Sequence, residues 1–86
     1  MKSKKKNPRA ISFSFVNKRA DPVDLSYAPG GGESDQFFTT IQPEAQYSVT
    51  TYAGHGWTIR ANGQDEVLHS FTVPPKADGV TQLDIL

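Results

Sequence analysis

Thr51, His55 and Trp57 stand within seven residues of one another in the stretch Tyr47–Arg60, YSVTTYAGHGWTIR. A threonine hydroxyl both donates and accepts, and a neutral imidazole offers one donor and one acceptor nitrogen. Trp57 adds a large apolar face, and Tyr27, Phe37, Phe38 and Tyr52 are available to wall a slot around it. A slot of this kind suits a compact ring bearing one hydroxyl, the ring packing on aromatic faces while its OH bonds to His55 and Thr51. A ligand lacking that hydroxyl leaves the two partners unsatisfied, at about 1–3 kcal/mol or about 5- to 150-fold in affinity. The competing reading makes Trp57 the core tryptophan of a small β domain and His55 a turn residue.

Other chemistries find less support. His55 and His69 are the two imidazoles, they fall on different expected strands, and no cysteine is present to complete a metal site. Neither metal nor cofactor is expected. Serine and threonine are plentiful, but no nucleophile elbow accompanies them. Asp65 and Glu66 are adjacent, so on a strand they point to opposite faces and cannot work as a carboxylate pair. Gly30-Gly31-Gly32 is not followed by Gly-Lys-Ser/Thr and opens no helix, which excludes a phosphate loop. No enzyme is expected.

The formal charge of zero conceals an asymmetry. Lys2, Lys4, Lys5, Lys6 and Arg9 put five positive charges in the first ten residues, leaving four positive and nine negative in the other 76, a net of minus five. Residues 1–10 therefore read as a disordered basic tail and 11–86 as one acidic domain unsuited to gripping a phosphate backbone. No apolar run approaches the roughly 18 residues of a membrane span. Ile11–Val16 is short, broken by Ser12 and Ser14, and a poor secretory signal, which favours the cytoplasm.

The elements that must position the candidate residues follow from alternation. Ile11–Val16, Val23–Tyr27, Phe37–Ile41, Gln46–Tyr52, Trp57–Ala61, Val67–Val73 and Val80–Leu86 each read as a short strand. Ile11, Phe13 and Phe15 share one face; Val67, His69, Phe71 and Val73 another; Leu83 and Ile85 point inward. Ala28–Gln36 is a loop, which its three glycines make mobile. Gln42-Pro43-Glu44 and Asn62-Gly63 are turns, and Tyr47–Arg60 reads as a hairpin closed by Ala53–Gly56. No helical periodicity and no internal repeat is present. Seven strands in 86 residues predict an all-β, seven-stranded antiparallel β-sandwich, with a small barrel as the rival.

Phe15-x-Asn17, Phe38-x-Thr40-Ile41-x-Pro43 and Val49-x-Thr51-Tyr52-x-Gly54-His55-x-Trp57-x-x-Arg60 resemble the β domain of the von Hippel–Lindau tumour suppressor family. The resemblance runs from about Phe13 to Pro75. It implies a seven-stranded β-sandwich that captures 4-hydroxyproline in an extended peptide. In the family a serine and a histidine bond the ligand hydroxyl and aromatic residues enclose its ring. His55 and Trp57 match the family's histidine and tryptophan, Thr51 stands at the serine and Tyr52 at the following tyrosine. Tyr27 falls at a second aromatic wall. Phe38 replaces a pocket tyrosine and lacks its hydroxyl, and Thr50 replaces a histidine that touches the peptide backbone. The family's helical domain, which recruits elongin C and a cullin ubiquitin ligase, has no counterpart, so no elongin C partner is implied. The expectation is a monomeric, stand-alone module binding a hydroxylated-proline peptide through Tyr27, Phe38, Thr51, Tyr52, His55 and Trp57. Two alternatives stand beside it: a structural or protein-interaction sandwich that has lost this recognition, and a sugar-binding module.

Overall fold

The computed structural model describes residues 10–75 and 79–86. The expected basic tail lies, apart from Ala10, outside the described residues. Among these there are seven strands and no helix: β1 (Ile11–Asn17), β2 (Val23–Ala28), β3 (Gln36–Ile41), β4 (Gln46–Thr51), β5 (Gly56–Ala61), β6 (Val67–Thr72) and β7 (Gln82–Ile85). They form a three-stranded sheet in the order β4-β1-β7 and a four-stranded sheet in the order β3-β2-β5-β6. The arrangement is sandwich-like, with one apolar core drawing on both sheets.

That core follows from the alternation of apolar and polar residues. Ile11, Phe13 and Phe15 of β1 are buried, as are Val23 and Leu25 of β2, Trp57 and Ile59 of β5, and Ile85 of β7. The polar partners Ser12 and Ser14 lie on the outer face of β1, where Ser14 shares a hydroxyl–hydroxyl bond of 2.9 Å with Ser48 across the β1–β4 pair. Phe71 packs against Phe13 with ring centroids 5.0 Å apart and so ties the edge strand β6 to the core.

Three expectations are corrected. The sheets are not wholly antiparallel, because β7 runs parallel to β1. The end of β6 is joined to the β4–β5 connection, with Val73 N–H donating to the His55 carbonyl and Gly54 N–H to the Val73 carbonyl, both at 2.9 Å. That is the end of the molecule at which β1 begins, since Ile11 pairs with Thr51. A chain leaving β6 there and entering the other sheet beside β1 runs in the β1 direction.

Tyr47–Arg60 is, second, not a hairpin. β4 and β5 belong to different sheets, and the Tyr52–His55 turn carries the chain from one to the other. Third, the alternation of β6 breaks at Leu68. Ile59 pairs with His69 but Arg60 with Val67, so Leu68 is an extra, bulged residue. Leu68 packs on the core and Val67 turns out to solvent at 48 % exposure.

Two polar clusters fix the ends of the strands. Asn17 is fully buried, donating from Nδ2 to the carbonyls of Asp21 (2.9 Å) and Ile41 (3.0 Å) and accepting from Arg19 N–H (2.9 Å). It thereby satisfies backbone groups on which the β1–β2 connection closes. Asp24, on the outer face of β2, accepts from Thr40 Oγ1 (2.8 Å), Asn62 Nδ2 (2.8 Å) and Gly63 N–H (3.0 Å), gathering β3 and the β5–β6 turn around one carboxylate.

Candidate functional site

The six expected site residues form one connected cluster at the end of the sandwich where the β4–β5 turn lies. Tyr27 pairs with Trp57 across the β2–β5 ladder, which puts both on the inner face, with ring centroids 5.4 Å apart. His55, in the turn, stands between Tyr27 (5.5 Å) and Tyr52 (5.4 Å). Phe38 meets Trp57 edge-on at 5.3 Å.

Local backbone geometry makes this cluster possible. β3 carries a bulge opposite Leu25 and Ser26, whose partners are Thr39 and Phe37, so Phe38 is the extra residue. The bulge turns its ring toward Trp57 and Tyr47, whereas Phe37, opposite Ser26, falls on the outer face. On β5, a Cβ at Gly56 would stand 3.0 Å from the Ala28 carbonyl oxygen, tight enough that the β2 backbone would have to give by a few tenths of an ångström. A glycine there lets β2 and β5 stay paired up to the turn that carries His55.

The cluster is graded from buried to open. Thr51 is 1 % exposed and Trp57 4 %, while Tyr52 reaches 36 % and Phe38 46 %. Tyr27 and His55 are half-buried. Trp57 Nε1–H donates to Thr51 Oγ1 at 3.2 Å, so the threonine hydroxyl is engaged within the protein and lies beneath the surface. His55, Tyr52, Tyr27 and Phe38 are the groups at the surface. Thr50 is exposed and pairs with Ser12 on the outer face of the three-stranded sheet, pointing away from Thr51.

Residues outside the expected set also contribute. Tyr47 stands against Phe38 at 6.0 Å, and its phase with Val49 and Thr51 on β4 was the sequence signal for its inward direction. Asp35, at the end of the glycine loop, pairs with Arg60 of β5 at 2.9 Å. Gly30, Gly31 and Gly32 all take positive φ, and Glu33 N–H donates to the Gly30 carbonyl at 3.1 Å, so the loop contains a turn, and Asp35 links its end to β5. No local pattern links Asp35 to Arg60.

Among the described residues no group of three or more His, Asp or Glu side chains is placed to hold a metal ion, and no helix is long and apolar enough to cross a membrane. Chemically, the cluster offers one imidazole framed by aromatic rings: a place to stack a small ring and to exchange one hydrogen bond with it. No protein-family model matches the chain, and no curated protein matches it in sequence.

Proposed function

We propose that this domain is a non-enzymatic binding module for an extended peptide carrying 4-hydroxyproline, of the kind the von Hippel–Lindau β domain takes. The observation that carries the reading is the half-buried His55 imidazole held between Tyr27 and Tyr52, with Phe38 and Trp57 completing an aromatic frame. A pyrrolidine ring is small, rigid and apolar, and packs on such faces at little entropic cost. Its hydroxyl is the one polar group on the ring to be satisfied, and the His55 imidazole at the surface of the frame offers a partner. Thr51 acts indirectly in this reading: its hydroxyl accepts from Trp57 and holds the indole that backs the slot.

A second reading has its own support. A tryptophan 4 % exposed and hydrogen-bonded to a buried threonine is what a purely structural core also requires. On that reading the domain is a protein-interaction sandwich whose contacts lie elsewhere, for instance at a sheet edge.

Calorimetry with paired prolyl and 4-hydroxyprolyl peptides decides between them. The binding-module reading expects the hydroxylated peptide to bind about 5- to 150-fold more tightly, and expects His55→Ala to erase that preference. Equal affinities, or no binding of either peptide by the folded protein, assign the cluster to the core.

A further inference from the structure

The outer face of the four-stranded sheet carries a second site of different chemistry. Side chains alternate across β5, so Trp57 enters the core while Thr58 points outward. A groove of about 350 Å3 lies there, its polar lining including Glu33, Asp35, Thr58, Ser70 and Thr72. Thr58 is only 6 % exposed, yet its hydroxyl takes part in none of the side-chain hydrogen bonds among the described residues. The hydroxyl is not sealed off from solvent, so it faces the groove free to accept or donate there.

The lining selects the partner's charge. Glu33 has no ion-pair partner among the described residues, and Arg60, the cation beside the lining, is paired with Asp35. Ionised carboxylates only accept, and hydroxyls can accept, so the groove calls for a ligand rich in donors. A guanidinium favours a bidentate carboxylate, but Asp35 is already held by Arg60 at 2.9 Å. A compact ammonium donates in up to three directions, and Glu33, Thr58, Ser70 and Thr72 all offer acceptor oxygens along the groove lining.

We infer that this groove binds the ammonium group of a lysine side chain on a peptide partner. The net charge of minus five outside the first ten residues favours a basic partner. The groove is lined by Gly54 of the turn that carries His55 and by Gly56 and Trp57, the first residues of β5 after it. The residues on either side of His55 thus line the groove, so a peptide seated at His55 that crosses this turn comes to it. The inference rests on the peptide-binding reading only for the chain that carries the ammonium; the preference for a cation follows from the groove.

The test is an amide-resolved NMR titration of the full chain with capped Gly-Gly-Lys-Gly-Gly, its norleucine analogue and its arginine analogue. The lysine peptide is expected to shift the Thr58, Ser70 and Thr72 amides saturably, and the norleucine peptide to leave them in place. Glu33→Gln, at an exposed position that does not threaten the fold, is expected to weaken lysine binding about 2- to 5-fold. Equal responses to lysine and norleucine, or an unchanged affinity in Glu33→Gln, overturn the proposal, and tighter binding of the arginine peptide overturns the choice of ammonium. Groove shifts that appear when Lys2, Lys4, Lys5 and Lys6 are replaced by serine, with no peptide added, give the groove to the chain's own segment and also overturn it. The hydroxyproline reading fails separately: a hydroxyprolyl peptide that leaves the Tyr52 and His55 amides unmoved says nothing against a groove that answers to lysine.

Discussion

Trp57 and Thr51 belong to different sheets, and the indole N–H of one donates to the hydroxyl of the other at 3.2 Å. Neither group reaches solvent to an appreciable degree, so each is the other's available partner. Thr51→Val removes the acceptor while keeping the shape, leaving a buried indole N–H unsatisfied. The expected cost is about 1–3 kcal/mol, read as a lowered urea midpoint with unchanged slope. Thr51→Ser keeps the bond and loses one methyl, for about 1 kcal/mol. Equal destabilisation by the two substitutions would show that packing, not the hydrogen bond, joins the sheets here.

Asp24 gives the protein a defined acid sensitivity. Burial is the largest single influence on its carboxyl and pushes the pKa up, but the bonds from Gly63 N–H, Asn62 and Thr40 together outweigh it and leave the group below its ordinary 3.8. A carboxylate with a lowered folded pKa contributes its full stabilisation above the unfolded value, and loses it as the pH falls through the folded value. Asp24→Ala is therefore expected to cost about 1–2 kcal/mol at pH 7, with the gap to the parent narrowing steadily below pH ~4. Urea melts of both proteins at pH 7, 4, 3 and 2.5 measure it. A gap that stays constant to pH 2.5 would mean the carboxylate charge is not what the three donors stabilise.

Glu44 adopts φ 65° in the Gln42–Ala45 turn, where Ala45 N–H donates to the Gln42 carbonyl at 3.0 Å and Glu44 N–H to the Asn17 carbonyl at 2.8 Å. A turn with a left-handed third residue ordinarily takes glycine there. Glu44→Gly is expected to raise stability by about 0.5 kcal/mol, relief of the backbone being partly offset by the freer unfolded chain. Glu44→Val, branched at Cβ, is expected to lower it by 1 kcal/mol or more, at about that scale. Thermal melts that place both variants on the same side of the parent exclude backbone strain as the governing term.

The sequence carried the strands because one face of each is apolar at every second residue, as in Ile11-Ser12-Phe13-Ser14-Phe15. It carried the candidate cluster because Thr51, Tyr52, His55 and Trp57 are close in the chain and the resemblance singled out Tyr27 and Phe38 among the other aromatic residues. Sheet membership was less legible. An alternating strand looks the same whether the next strand pairs with it or crosses to the other sheet, so the β4–β5 crossover read as a hairpin and β7 as antiparallel. The bulges at Phe38 and Leu68 were hidden for the same reason: one extra residue shifts the phase without leaving any particular residue type behind. Contacts made by the glycine loop, such as Asp35 with Arg60, join residues 25 positions apart and have no local pattern at all.

Phe37 and Phe38 separate the peptide-binding reading from simple surface hydrophobicity. They are neighbours on the same edge strand, exposed at 66 % and 46 %, but the bulge sends Phe38 against Trp57 and leaves Phe37 on the outer face. If the slot is built on Trp57, Phe38→Ala opens one wall and is expected to weaken a hydroxyprolyl peptide about 5- to 30-fold, the equivalent of about 1–2 kcal/mol of aromatic contact. Phe37→Ala should change it less than twofold. On the same reading Phe38→Tyr adds a hydroxyl at the rim of the slot, in a position open enough to take it without repacking, and is expected to tighten binding by a few-fold, about one hydrogen bond's worth. Calorimetry on the three variants makes the comparison, with circular dichroism to establish that each is folded. Equal losses in Phe37→Ala and Phe38→Ala would point to a non-specific apolar edge, and a greater loss in Phe37→Ala would move the site to the outer face of the sheet.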